Sequence, residues 1–171
     1  RFLDVNPTDA DGWRNMVILN MMDDNYAEAI KVSEKALEYN PDNTDLYGYV
    51  AGCYHQRKEY PKAISLYEKI LTMTDSTDLE RNADIITAMG DIYSELKDSV
   101  KTVECYERAL KIDPINSGTL NNYAYYLAQR GEDLDRAERM AALAIKDEPD
   151  NANFIDTYAW VYFAKKDYTK A

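Results

Sequence analysis

Tyr26-Ala27-Glu28-Ala29-Ile30 reappears one period later as Tyr60-Pro61-Lys62-Ala63-Ile64, and its opening returns at the far end as Tyr168-Thr169-Lys170-Ala171. From 26 to 60 the step is 34 residues. The prolines form a second ladder. Pro7, Pro41, Pro114 and Pro149 each follow a helical pattern, in Val5-Asn6-Pro7, Tyr39-Asn40-Pro41, Ile112-Asp113-Pro114 and Glu148-Pro149, at spacings of 34, 73 and 35. The middle spacing is two periods with five residues added. Self-similarity at such a period marks an array in which each unit is one supersecondary element.

Apolar residues fall in two blocks per period. The first block holds Trp13, Met16, Val17 and Asn20. Its counterparts are Tyr47, Val50, Ala51, Tyr54; Ile86, Met89, Gly90, Tyr93; Leu120, Tyr123, Ala124, Leu127; and Ile155, Tyr158, Ala159, Tyr162. Offsets of three, one and three place each set on one stripe of a helix. The second block runs Ala29, Ser33, Ala36, Leu37, with matching sets beginning at Ala63, Thr102 and Ala137. Polar breaks such as Asp23-Asp24-Asn25 and Arg57-Lys58-Glu59 divide the blocks. Asn25 with Glu28 and Thr77 with Glu80 are expected to form capping boxes. Pro61 suits a first helical turn, where its missing N–H would be unpaired anyway. Each period is therefore an antiparallel helix pair, A then B.

Composition excludes several classes. The 171 residues are 46% hydrophobic, enough to bury a core, and six glycines with five prolines are too few for a turn-rich β fold. A net charge of −11 repels a phosphate backbone, so nucleic acid is not an expected partner. The longest apolar run, Met16 to Met22, is broken by Asn20 and is too short to span a bilayer, so direct membrane insertion is not expected. Cys53 and Cys105 with the single His55 supply neither a disulfide framework nor a tetrahedral zinc site. No metal and no cofactor is expected.

The recurring order of a large residue, an aliphatic, a small residue and Tyr, then Tyr, Ala, an aromatic, Ala and Pro, resembles the tetratricopeptide repeat (TPR). The resemblance covers the whole chain. It implies an all-α TPR solenoid of antiparallel helix pairs forming a right-handed superhelix. The expected division is 1–9 as the end of a preceding repeat, 10–43, 44–77, 78–116 with an extended start, 117–151, and 152–171 as a partial fifth repeat. Phe2, Leu3 and Pro7 read as the tail of a helix B, and Ala171 falls early in another, so the chain is expected to be a piece of a longer array. The stretch from Asn121 to Ala171 resembles the C-terminal arrays of bacterial TPR proteins. That implies a bacterial origin and leaves a cytoplasmic or envelope-associated parent open. The second joint is irregular. Ile70 stands for alanine, Asp75 for proline, and residues 78–82 are extra. They read as added helix at the start of the third unit, either tolerated or altering the twist there.

Of fifteen tyrosines, eleven occupy repeat positions and read as core: Tyr26, Tyr47, Tyr54, Tyr60, Tyr67, Tyr93, Tyr106, Tyr123, Tyr158, Tyr162 and Tyr168. Tyr39, Tyr49, Tyr125 and Tyr126 are left over. In a TPR stack the A helices line a concave wall, and the residues beside the core stripe face it. The partner-binding residues expected there are Arg14, Ile18, Met21 and Met22; His55 and Gln56; Asn121, Asn122, Tyr125 and Gln129; and Asp156, Trp160 and Phe163. Thr87, Asp91, Ser94, Glu95 and Ala128 are further wall positions. Ile18, Met21 and Met22 make an adaptable apolar patch, and Tyr125, Trp160 and Phe163 an aromatic one. Neighbouring helices or flanking repeats are the alternative cover for both. Gly48 and Gly52, one turn apart, each cost about 1 kcal/mol in a helix interior. Either a ligand backbone or a large neighbouring side chain such as Met22 is expected to fill that space.

TPR co-chaperones grip acidic C-terminal peptides with Lys and Asn at fixed inner positions. Here Arg14, Ile18 and Met22 stand in those places, and Asp84 and Glu95 lie on the wall, so the resemblance does not extend to that clamp. An apolar, amide-containing or basic segment suits the wall, with Asn121, Asn122 and Gln129 bonding an extended backbone. His55 has no triad or ligand partners at catalytic spacing, and acidic pairs such as Asp23-Asp24 read as solvated helix ends. The expected function is a non-catalytic scaffold binding a protein or peptide. Self-association through uncapped repeat ends, and an accessory region of a larger enzyme or signalling protein, are the alternatives.

Overall fold

The computed structural model describes residue 6 and residues 8–171. The expectations placed on Phe2, Leu3 and Pro7 lie outside the described residues. The described residues form helices and turns, without strands. In chain order the helices are α1 Ala10–Met22, α2 Tyr26–Tyr39, α3 Thr44–Gln56, α4 Tyr60–Met73, α5 Leu79–Glu95, α6 Ser99–Ile112, α7 Ser117–Arg130, α8 Leu134–Asp147 and α9 Ala152–Ala164. They fall into two compact units divided between Asp75 and Ser76, within the irregular joint.

Every odd-numbered helix ends in the same way. Asp24, Lys58, Lys97, Gly131 and Lys166 take positive φ values of 55°, 60°, 60°, 66° and 63°. The residue after each donates its backbone N–H five residues back, as in Asn25→Asn20, Glu59→Tyr54, Asp98→Tyr93, Glu132→Leu127 and Asp167→Tyr162, all at 2.8–3.0 Å. These are Schellman caps, which satisfy orphan carbonyls and reverse the chain within three residues. Starts are capped by side chains. Asn43, Asp78, Asp98, Asn116, Asp133 and Asn151 each accept a backbone N–H of the first turn. The two expected capping boxes differ from this. Asn25 makes no side-chain cap bond, and α5 is capped by Asp78 rather than Thr77 because the helix begins one residue later. Asp78 starts a helix of 17 residues where α1 and α3 have 13, so the extra residues do extend it by about a turn.

In the first unit α1 packs on α2 and α3, and α3 on α2 and α4. Its core gathers Trp13, Val17, Ala29, Ile30, Ala36, Leu46, Val50 and Cys53. In the second unit α5, α7 and α9 stand side by side, with α6 behind α5 and α7 and α8 behind α7 and α9. The second core runs through Tyr106, Leu120, Tyr123, Tyr126, Leu127, Met140, Phe154 and Val161. Each such large side chain contributes about 1.5–3 kcal/mol when fully buried. Ala29, Ala51, Ala63, Ala124 and Ala137 are wholly buried, as close helix approach requires.

Three core assignments fail, and one tyrosine left outside the core joins it. Met16 and Ile155 are exposed although their periodicity matches the core stripe, and Phe154 and Thr157 point inward on α9 instead of Ile155. Tyr168 is exposed, standing in the turn after α9 rather than in a helix. Tyr126 is buried against Tyr106, edge to face at 6.0 Å, and so belongs to the core. Ala128 and Thr87, expected on the wall, are buried as well.

Candidate functional site

A polar seam joins α5 to α7 and sets the position of the groove above it. Asn116 Nδ2 donates to Asp84 at 2.8 Å, the Thr87 and Thr119 hydroxyls meet at 2.6 Å, and Asn122 Nδ2 reaches both Asp91 oxygens at 3.1 and 3.2 Å. Residues 84, 87 and 91 lie on one face of α5, so three rungs tie the two helices in a single register. From behind, Tyr106 of α6 donates its hydroxyl to the same Asp91 at 2.6 Å. Burial, reinforced by the Asp91 charge, pushes the Tyr106 phenol far above its ordinary value, so it stays a donor.

Over this seam lies a groove of about 460 Å³, walled by α5, α7 and α9. Asp91, Ser94 and Glu95 line one side, Asn121, Asn122, Tyr125, Tyr126 and Gln129 the floor, and Asn153, Asp156, Thr157 and Trp160 the other side. Tyr125 and Trp160 remain 43% and 42% exposed. The Tyr125 hydroxyl accepts from Gln129 Nε2 at 2.9 Å, and Trp160 stacks on Phe163 at 5.3 Å. Asn121 donates its amide to Asn122 Oδ1 at 3.1 Å, which leaves its own Oδ1 unpaired in a side chain only 7% exposed. The buried Tyr126 hydroxyl likewise has no hydrogen-bond partner.

The structure thus brings six of the expected residues to one place: Asn121, Asn122, Tyr125, Gln129, Asp156 and Trp160. Phe163 lies beside them, lining a neighbouring depression with Ala159 and Trp160. Asn122 is committed to the α5 seam rather than held out for a ligand. Asp91 and Glu95 belong to the groove, whereas Tyr106, Tyr126, Asn153 and Thr157 had no signal marking them as lining residues. The first-unit residues are arranged differently. Arg14 pairs with Asp11 at 3.0 Å, Ile18 and Met21 are half-buried, and Met22 is 76% exposed. His55 meets Tyr60 at 6.1 Å, and Gln56 faces solvent. A cavity of about 490 Å³ in this unit, between Leu37, Tyr47, Val50, Tyr54 and Leu66, is lined by none of these six. Gly48 and Gly52 have open space where a Cβ would stand, so the side chain expected to fill it does not.

Burial raises the Cys53 thiol to about 11 and raises Cys105 too, which keeps both protonated at neutral pH. Among the described residues no group of three His, Cys, Asp or Glu side chains is placed to hold a metal ion. No helix among the described residues is long and apolar enough to cross a membrane. What the groove offers is carboxylates, amides and aromatic faces.

Models of the tetratricopeptide repeat match residues 20–78, 83–116 and 105–139. The chain belongs to the tetratricopeptide repeat family. Among solved TPR-type structures, YrrB, described as a TPR protein with an unusual peptide-binding site, matches with TM-score 0.59 and 21% identity over 98% of this chain and 84% of its own. BtubC from P. vanneervenii gives TM-score 0.73 at 19% identity, over 94% and 74%. PilF of Pseudomonas aeruginosa gives 0.73 at 18%, over 94% and 70%. These likenesses support the all-α TPR solenoid class, and bacterial arrays are among them. Curated relatives include the human general transcription factor 3C polypeptide 3, 27% identical over 61% of this chain and 12% of that protein. The human protein O-mannosyl-transferase TMTC3 is 29% identical over 81% of this chain and 14% of its own. The TPR chain therefore spans about an eighth of the length of the curated relatives it matches.

Proposed function

We propose that the chain is a non-catalytic scaffold whose odd-numbered helices receive an extended protein or peptide segment, with the second-unit groove as the receiving site. The observation that carries this is the pairing of exposed Tyr125 and Trp160 with the unpaired Asn121 Oδ1 and Tyr126 hydroxyl along one groove. Aromatic anchors supply contact area at low entropic cost, and buried unpaired polar atoms favour a ligand that completes their hydrogen bonds. A volume of about 460 Å³ falls within the range of ligand sites. YrrB, with its peptide-binding site, is the structural likeness that agrees with this reading. The coverage of only 12–14% of the curated relatives favours a second, compatible reading, in which the array serves as an interaction region within a longer protein.

Selection from a random peptide display library tests the site. Tyr125→Ala and Trp160→Ala are expected to weaken the selected peptides about tenfold or more each, the loss of roughly 1.4 kcal/mol or more, with an unchanged helical spectrum. Equal binding by both well-folded variants would remove the groove from the proposal.

A further inference from the structure

We infer that the second-unit groove takes a lysine or arginine side chain from an extended segment of a partner protein, its cation set among Tyr125, Trp160 and Asp156. The inference rests on the peptide-scaffold reading and specifies its ligand. Three observations lead to it.

The lining includes the carboxylates of Asp91, Glu95 and Asp156, and no lysine, arginine or histidine. With a net charge of −11 on the chain, the local and the long-range fields both favour a cation. The unpaired floor atom is also of the matching kind. Asn121 spends its N–H on Asn122, so the oxygen left over is an acceptor and calls for a donor. A carboxylate or purely apolar side chain set against it would leave it unpaired.

The aromatic rings supply the third observation. Several rings elsewhere in the chain carry one of its own cations: Lys35 lies 5.7 Å from the Trp13 centroid, Lys69 3.9 Å from Tyr47, Lys101 4.9 Å from Tyr93 and Arg136 4.8 Å from Tyr123. Tyr125 and Trp160 carry no such cover among the described residues; both stay partly exposed in the groove that Asp156 also lines, with Phe163 stacked on Trp160. A cation over an aromatic face is attracted by the ring quadrupole, and more so when a carboxylate stands alongside.

The test titrates the ¹⁵N-labelled protein with capped pentapeptides Leu-Ala-X-Ala-Leu, in which X is arginine, lysine, norleucine or glutamate. Binding is followed at the Trp160 indole N–H and the Asn121 side-chain amide. Arginine and lysine peptides are expected to give saturable shifts that weaken with added salt, and norleucine and glutamate to bind about tenfold less tightly or worse. Asp156→Asn, at an exposed position, and Trp160→Ala are each expected to narrow the gap between arginine and norleucine, and Trp160→Phe to keep most of it. Norleucine or glutamate binding as tightly as arginine overturns the inference while leaving a peptide groove. Shifts from none of the four peptides overturn it as well, and the display selection then decides separately whether the scaffold reading survives.

Discussion

Two glycines on one helix face and a third elsewhere obey opposite rules. A Cβ on Gly90 would stand 2.9 Å from Tyr106 Cε1 and 3.2 Å from Cys105 Cβ. The ring cannot retreat without breaking its hydroxyl bond to Asp91. Gly90→Ala is therefore expected to destabilise by about 1–3 kcal/mol. Gly48 and Gly52 meet nothing within 4 Å, so Gly52→Ala should instead stabilise by up to about 1 kcal/mol through helix propensity. Urea midpoints of the two variants check the pair, and a neutral Gly90→Ala would contradict the packing described. The tight approach at residue 90 is legible in the repeat pattern, because alanine or glycine stands there in four of the five A helices, with Val17 in the first. The unpaired Asn121 oxygen is not, since its isolation depends on a bond to Asn122 that periodicity does not encode.

Between elements, Glu107 on α6 is a junction. It accepts the Tyr123 hydroxyl of α7 at 2.8 Å and pairs with Arg136 of α8 at 2.6 Å. The Arg136 hydrogen bond, followed by that of Tyr123, holds its carboxyl below the usual glutamate value, while burial and Glu107 raise Tyr123 to about 12. A depressed carboxylate contributes stability above its unfolded pKa and loses it as pH falls through the folded value. The pair is partly solvated, so the contribution is about 0.5–1 kcal/mol. Glu107→Gln should cost that much at pH 7 and nothing once glutamate itself is protonated. Denaturation at neutral pH and below the carboxylate range reads the difference, and an equal cost at both would rule out the charge as its source. Helix identity follows directly from the 3.6-residue period, which depends only on which face is buried. Edges are less readable: Met16 and Ile155 fit the stripe but stay exposed, because burial also needs a neighbour on that side. The α5–α7 seam is invisible for the same reason, being set by the register between successive A helices.

At the scale of the molecule, the two compact units each contain one tryptophan, Trp13 in the first and Trp160 in the second. Repeat arrays draw their stability from nearest-neighbour interfaces, so units of unequal core need not melt together. The second unit has the three-rung seam and five helices, against four described in the first. Trp160→Phe, reporting through Trp13, is expected to unfold at lower urea than Trp13→Phe, reporting through Trp160. Coincident midpoints would mean a single cooperative body. The change at Asp75 and the extra residues after it are readable as a discontinuity, although the size of each core emerges only once the side chains are in place.

The five Schellman turns amount to a built-in substitution series. The same left-handed backbone is occupied by glycine at 131 and by aspartate or lysine at 24, 58, 97 and 166. Side chains at those corners sit in a conformation that costs about 1 kcal/mol relative to glycine. Lys97→Gly should accordingly stabilise the fold, by up to about 0.5 kcal/mol after glycine's extra unfolded-chain freedom is counted, and raise the melting midpoint. An unchanged midpoint would mean that the lysine already relieves its own strain. The bends are thus adjustable screws on the hardiness of the array.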